Sequence, residues 1–161
     1  MKKLINEKEL NDRAAFFCEK LFGIKLLIPV KFFHGVDEYM DVLNNNVKGM
    51  FRASNDEGSL SGDESCDIII NDNLVKASFG NINDLNDTLI HELTHYYLWF
   101  MGYDSEDDSK DFIDKLNELG VSNNYDLRYD IRDEFGCGTK KCDYDKLQQY
   151  ENMYQEYKLN K

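Results

Sequence analysis

The segment from Asp84 to Met101 limits the possible folds more than any other part of the chain. At helical spacing, Leu85, Leu89, Leu93, Tyr97 and Phe100 fall near one side, while Tyr96 and Trp99 cover much of another. A helix that is apolar on most sides belongs in the interior, not on a surface. Gly102 follows as its natural stop. The remaining elements must pack around this helix, and each polar side chain it carries is buried only at a cost unless it is satisfied.

This helix carries the run His91-Glu92-Leu93-Thr94-His95. Histidines at i and i+4 project from one helix face about a turn apart. That separation suits a single tetrahedral zinc ion, which takes imidazole nitrogens at about 2.0–2.1 Å. Glu92 points slightly around the helix, where its carboxylate can act on a water at the metal and accept its proton as general base. These are the mechanics of the His-Glu-x-x-His motif. Three histidines and twelve glutamates among 161 residues give the motif by random placement with an expected count of roughly 0.004, so composition does not explain it. The competing reading is two core histidines satisfied by backbone carbonyls, which leaves a buried glutamate to be paired.

Two histidines do not complete a catalytic site, because such a zinc takes three protein ligands and water. The third histidine, His34, lies far upstream on a predicted strand and reads as an ordinary strand residue. Carboxylates crowd the segment after the helix instead: Asp104, Glu106, Asp107, Asp108 and Asp111. Spacing alone does not choose among them. An oxyanion-stabilising group is also required; Tyr103, Tyr125, Arg128 and Arg132 have suitable chemistry, and none is assigned.

The rest of the chain reads as alternating helices and short strands. Apolar residues Leu10, Ala14, Phe17, Cys18 and Leu21 predict a helix from about 7 to 22, stopped at Gly23. A strand is expected over 26–34, with Pro29 placing it at an edge or bulge. A short helix over 36–44, a strand over 49–53, a polar loop over 54–65 and a β-branched strand over 66–70 follow. Further helices are predicted over 109–119, burying Phe112, Ile113, Leu116 and Leu119, and over 144–159, through Leu147, Tyr150, Tyr154 and Tyr157. This order indicates an α+β fold in one domain over residues 1–161.

With the motif in place, the stretch from His91 to Gly120 resembles the SprT-like family of zinc metallopeptidases, which includes the Spartan proteases. In that family a histidine-glycine-x-x-aromatic motif follows the zinc helix, supplies the third ligand and opens the next helix. Asp108-Ser109-Lys110-Asp111-Phe112 stands in that place, with Phe112 as the aromatic and Asp108 where the histidine is expected. The resemblance implies a zincin-like minimal metallopeptidase domain, a small mixed sheet packed against the motif helix. It also implies zinc held by His91, His95 and Asp108, with Glu92 catalytic. Two histidines and one carboxylate are a known catalytic set. Glu106 is the next candidate ligand, and capping of the following helix is the alternative role for Asp108. Family members often end in a four-cysteine zinc ribbon. Here residues 121–161 offer only the pair Cys137 and Cys142, so that region is expected to be a helical extension without a second zinc.

The net charge of -12 argues against nucleic acid as a partner, since an acidic surface repels phosphate. The four cysteines are scattered, and neither a signal-peptide core nor a membrane-spanning stretch is evident. A cytoplasmic monomer with free thiols and no membrane partner is expected. The activity expected is hydrolysis of peptide bonds in a protein or peptide substrate, which strand addition to an exposed edge near 49–53 would bind. The alternative is a non-catalytic binding or assembly protein of the same fold, with zinc structural or absent.

Overall fold

The computed structural model of the chain describes residues 5–33, 49–53, 66–71, 82–106, 109–122 and 142–160. Helix α1 spans Glu7–Phe17, and the Asn6 side chain caps it by accepting the Glu9 amide at 2.8 Å. It runs into a π-helical turn, Cys18–Phe22, that closes on Gly23 at φ 71°. The predicted single helix over 7–22 thus changes its winding at Cys18, and both Cys18 and Phe22 remain buried.

Three strands form one mixed sheet in the order β1-β3-β2. Strand β3, Asp67–Asn71, is central and buried at every position. β1, Val30–Phe33, runs parallel to it with Val30 opposite Ile68. β2, Gly49–Arg52, runs antiparallel with Phe51 opposite Ile68. The first strand is shorter than predicted and starts at Val30, not Leu26. Upstream, the backbone is satisfied by a side chain instead of a neighbouring strand: the Tyr96 hydroxyl donates to the Lys25 carbonyl and accepts the Leu27 amide. Pro29 has no N–H to give a ladder, although its carbonyl accepts the Ile68 amide at 3.0 Å. The short helix expected over 36–44 and the loop over 54–65 lie outside the described residues.

Helix α2, Ile82–Met101, is the buried one, with Leu85, Leu89, Ile90, Leu93, Tyr96, Leu98 and Trp99 in the core. The sheet lies against it through Phe51, whose ring centre is 6.1 Å from Tyr96 and 5.4 Å from Trp99. Helix α3, Lys110–Leu119, buries Phe112, Leu116 and Leu119, while Ile113 is only half-buried. Its cap is Ser109, which accepts the Phe112 amide at 3.1 Å. Helix α4, Tyr144–Leu159, returns to the body of the fold with Leu147 and Tyr154 buried and Tyr157 exposed.

One buried charge network ties α1, α2 and α4 together. Arg13, only 1% exposed, pairs with Glu151 and hydrogen-bonds Asn86 at 3.3 Å. Asn86 also donates to Glu151 at 2.9 Å, and Arg13 reaches Glu9 at 3.0 Å. The guanidinium lies 4.4 Å from the Tyr154 ring centre. These acceptors offset part of the desolvation of a fully buried cation, whose Nε has no acceptor among the described residues. The fold is α+β, with a small mixed sheet against the motif helix.

Candidate metal centre

Helix periodicity puts His91, Glu92 and His95 together midway along α2, away from its ends. His91 and Glu92 are buried, at 4% and 3% exposure, and His95 is half-buried. The imidazole centres are 5.3 Å apart. Two imidazoles bound tetrahedrally to one zinc at about 2.0–2.1 Å would hold their ring centres about 5.2 Å apart. The observed separation of the ring centres is compatible with that value.

Backbone carbonyls fix how each ring presents itself. His91 Nδ1 lies 2.8 Å from the Ser122 carbonyl oxygen, and His95 Nδ1 lies 2.6 Å from that of Ser105. A carbonyl oxygen only accepts, so Nδ1 carries the proton in both rings. In a neutral imidazole the lone pair is then on Nε2. Such an outer hydrogen bond is the usual support of a metal-ligating histidine. The chemistry of the donors fits zinc.

A third side chain sets the ring orientations. Phe112, fully buried at the start of α3, stacks on His95 with centres 4.0 Å apart and planes 17° apart. It meets His91 edge-on, at 5.1 Å and 82°. The serine cap and the amphipathic pattern of α3 place this ring against both imidazoles. Within the motif, Thr94 is buried and donates to the Ile90 carbonyl at 2.8 Å, which satisfies its hydroxyl inside the helix.

The segment between the two helices is organised by Asp104. Its carboxylate accepts the Glu106 amide at 3.0 Å, and its carbonyl accepts the Ser109 hydroxyl at 2.9 Å. Asp104 and Glu106 are both exposed. Asp107 and Asp108 lie outside the described residues, as do His34, Tyr125, Arg128 and Arg132. Among the described residues, no group of three or more His, Cys, Asp or Glu side chains converges as a metal site. The cap of α3 is Ser109, so that alternative role does not fall to Asp108. Tyr103 is exposed beyond the end of α2.

Strand β2 comes close to the glutamate. A Cβ built on Gly49 would lie 3.2 Å from Glu92 Cγ and 3.1 Å from Thr88 Cγ2. Sequence reasoning found the strand but not this approach, which carries no pattern of its own. It also missed the Ser105 and Ser122 carbonyls. The cysteines are placed elsewhere: Cys18 and Cys66 are buried free thiols, and Cys142 is a half-buried one. Cys137 lies outside the described residues. Burial pushes the Cys18 thiol up to about 12, and burial together with the charge of Asp87 pushes Cys142 up to about 11.

No described helix is long and apolar enough to cross a membrane. Comparison with known proteins finds no matching family model, no matching curated protein and no matching solved structure.

Proposed function

We propose that the chain is a zinc-dependent peptidase with a zincin-like fold, in which His91, His95 and Asp108 hold the metal and Glu92 is the general base. The observation that carries this reading is the pair of Nδ1–H···O=C bonds from His91 to Ser122 and from His95 to Ser105. Both rings are thereby held as the tautomer that offers Nε2 to a metal. Asp108 enters through its sequence position, directly before the Ser109 cap. When bound, zinc polarises a peptide carbonyl and brings the pKa of water to about 7.

This chain's own residues would supply the rest. Glu92, buried beside His91, accepts a proton from the attacking water and returns it to the departing amine. Its burial keeps bulk water from competing for that proton. Strand β2 pairs with β3 on one side, and among the described residues no strand pairs with its other side. An extended peptide can add there by main-chain hydrogen bonds, beside the glutamate that Gly49 touches.

The test is Glu92→Gln in the full chain. The variant should retain zinc at the wild-type stoichiometry while cleavage of an unstructured protein such as casein falls by at least about a hundredfold. Full cleavage by the variant would sink the mechanism. A wild-type protein purified without near-stoichiometric zinc, and unable to take it up, returns the non-catalytic binding or assembly reading.

A further inference from the structure

We infer that Asp87 is a positioning residue for His91 and acts through the backbone of Ser122. The inference rests on the reading of His91 as a zinc ligand. Asp87 and His91 lie one turn apart on the same face of α2. The Asp87 carboxylate accepts the Ser122 amide at 2.7 Å, and the Ser122 carbonyl accepts His91 Nδ1 at 2.8 Å. The helix thus grips residue 122 with two side chains, one on its N–H and one on its C=O. The first of these bonds is charge-assisted and so among the stronger hydrogen bonds.

The approach to Ser122 is strapped down from the other side. The Val121 amide donates to the Leu116 carbonyl, the Gly120 carbonyl accepts the Asp143 amide, and the Leu119 carbonyl accepts the Tyr150 hydroxyl. Those bonds fix residues 119–121 to α3 and α4. Asp87 extends the hold to residue 122, where the carbonyl that orients His91 sits. Loss of an outer hydrogen bond of this kind lowers metal affinity by about 10–100-fold.

The test compares full-length wild type, Asp87→Ala and Asp87→Asn. Zinc affinity is measured by competition with a chelator, and the histidine tautomers of the metal-free proteins are read from long-range proton–nitrogen NMR. Asp87→Ala should bind zinc about 10–100-fold more weakly and lose the pure Nδ1–H tautomer at His91, with His95 unchanged. Asp87→Asn should stay within a few-fold of wild type, because its amide oxygen can accept the same bond. Wild-type affinity in Asp87→Ala, an unaltered His91 tautomer, or an asparagine variant as weak as the alanine one overturns the inference. If Asp87→Ala does not fold, exchange of the Ser122 amide in wild type tests the first bond directly, and exchange at the rate of an open amide overturns it. Failure of wild type to bind zinc counts against the site reading alone, since the tautomer is read without metal.

Discussion

Gly49 on β2 lies directly against Glu92 on α2, with room for a hydrogen and not for a methyl: a Cβ there would be 3.2 Å from Glu92 Cγ. The same Cβ would meet Thr88 Cγ2 at 3.1 Å and the Ile69 carbonyl oxygen at 3.2 Å. The strand cannot retreat easily, because the Ile69 contact is backbone of its own sheet partner. The side chains of Thr88 and Glu92 are the groups that must give. In the proposed enzyme, a shift of a few tenths of an ångström in a general base degrades the proton-transfer geometry. Gly49→Ala should therefore lower kcat by about tenfold while zinc content stays at the wild-type level. Wild-type kcat in Gly49→Ala would show that this approach does not position Glu92.

Phe112 stacks on His95 and meets His91 edge-on, so it holds both rings at once. Truncation to alanine removes a fully buried ring and should destabilise the protein by about 3–5 kcal/mol, read by urea denaturation. Leu116→Ala, one turn along the same buried face, provides the comparison at about 2–5 kcal/mol. Zinc affinity should fall more in Phe112→Ala than in Leu116→Ala. Equal losses in the two variants would mean that the ring contributes only bulk.

Much of this arrangement was legible in the sequence, and the part that was not has definite causes. The buried helix was readable because Leu85, Leu89, Leu93, Tyr96 and Trp99 leave it no wide polar face. The stops at Gly23, Gly102 and Gly120 were readable because only glycine adopts φ of 71°, 81° and 75° without strain. The early start assigned to the first strand failed because Tyr96, far along the chain, satisfies the backbone of Lys25 and Leu27. The carbonyls of Ser105 and Ser122 left no trace, since every residue has a carbonyl and only the fold selects which one meets a histidine. Asp87 did leave a trace: it stands at i−4 from His91, where a supporting side chain on the same face belongs.

Arg13 and Glu151 illustrate the same limit in the core. Neither carries a sequence signal of burial, and their pairing across 138 positions appears only when α1 and α4 pack. Removal of one partner leaves a buried charge undercompensated. Glu151→Ala should destabilise the protein by about 3–5 kcal/mol, seen as a lower urea midpoint at unchanged slope. The double substitution Arg13→Met with Glu151→Leu should recover most of that loss, because a well-packed apolar pair avoids the desolvation cost. A double variant no more stable than Glu151→Ala would place the network's value in specific geometry that apolar packing does not replace.

The thiols give a prediction with a definite sign in pH. Cys18 is raised from 9.0 to about 12 by burial, then by the charge of Glu19. Cys142 is raised from 9.0 to about 11 by burial, then by Asp87. At pH 8 the thiolate fraction of Cys142 is about a hundredfold below that of an ordinary thiol, and the greater nucleophilicity of a more basic thiolate recovers about tenfold of this. Alkylation of Cys142 by iodoacetamide should therefore run about tenfold slower than that of a free thiol at pH 8, followed by mass spectrometry of the digested protein. The same shifts act on stability. The unfolded chain releases these protons near 9, whereas the folded one holds them to about 11 and about 12. Their contribution is complete below pH 9 and declines as pH rises through that window. Cys18→Ser should lose the Cys18 part of this decline and keep that of Cys142, though it costs stability at every pH by burying a hydroxyl in an apolar site. An alkylation rate at Cys142 equal to that of free cysteine would show that neither burial nor Asp87 restrains the thiol.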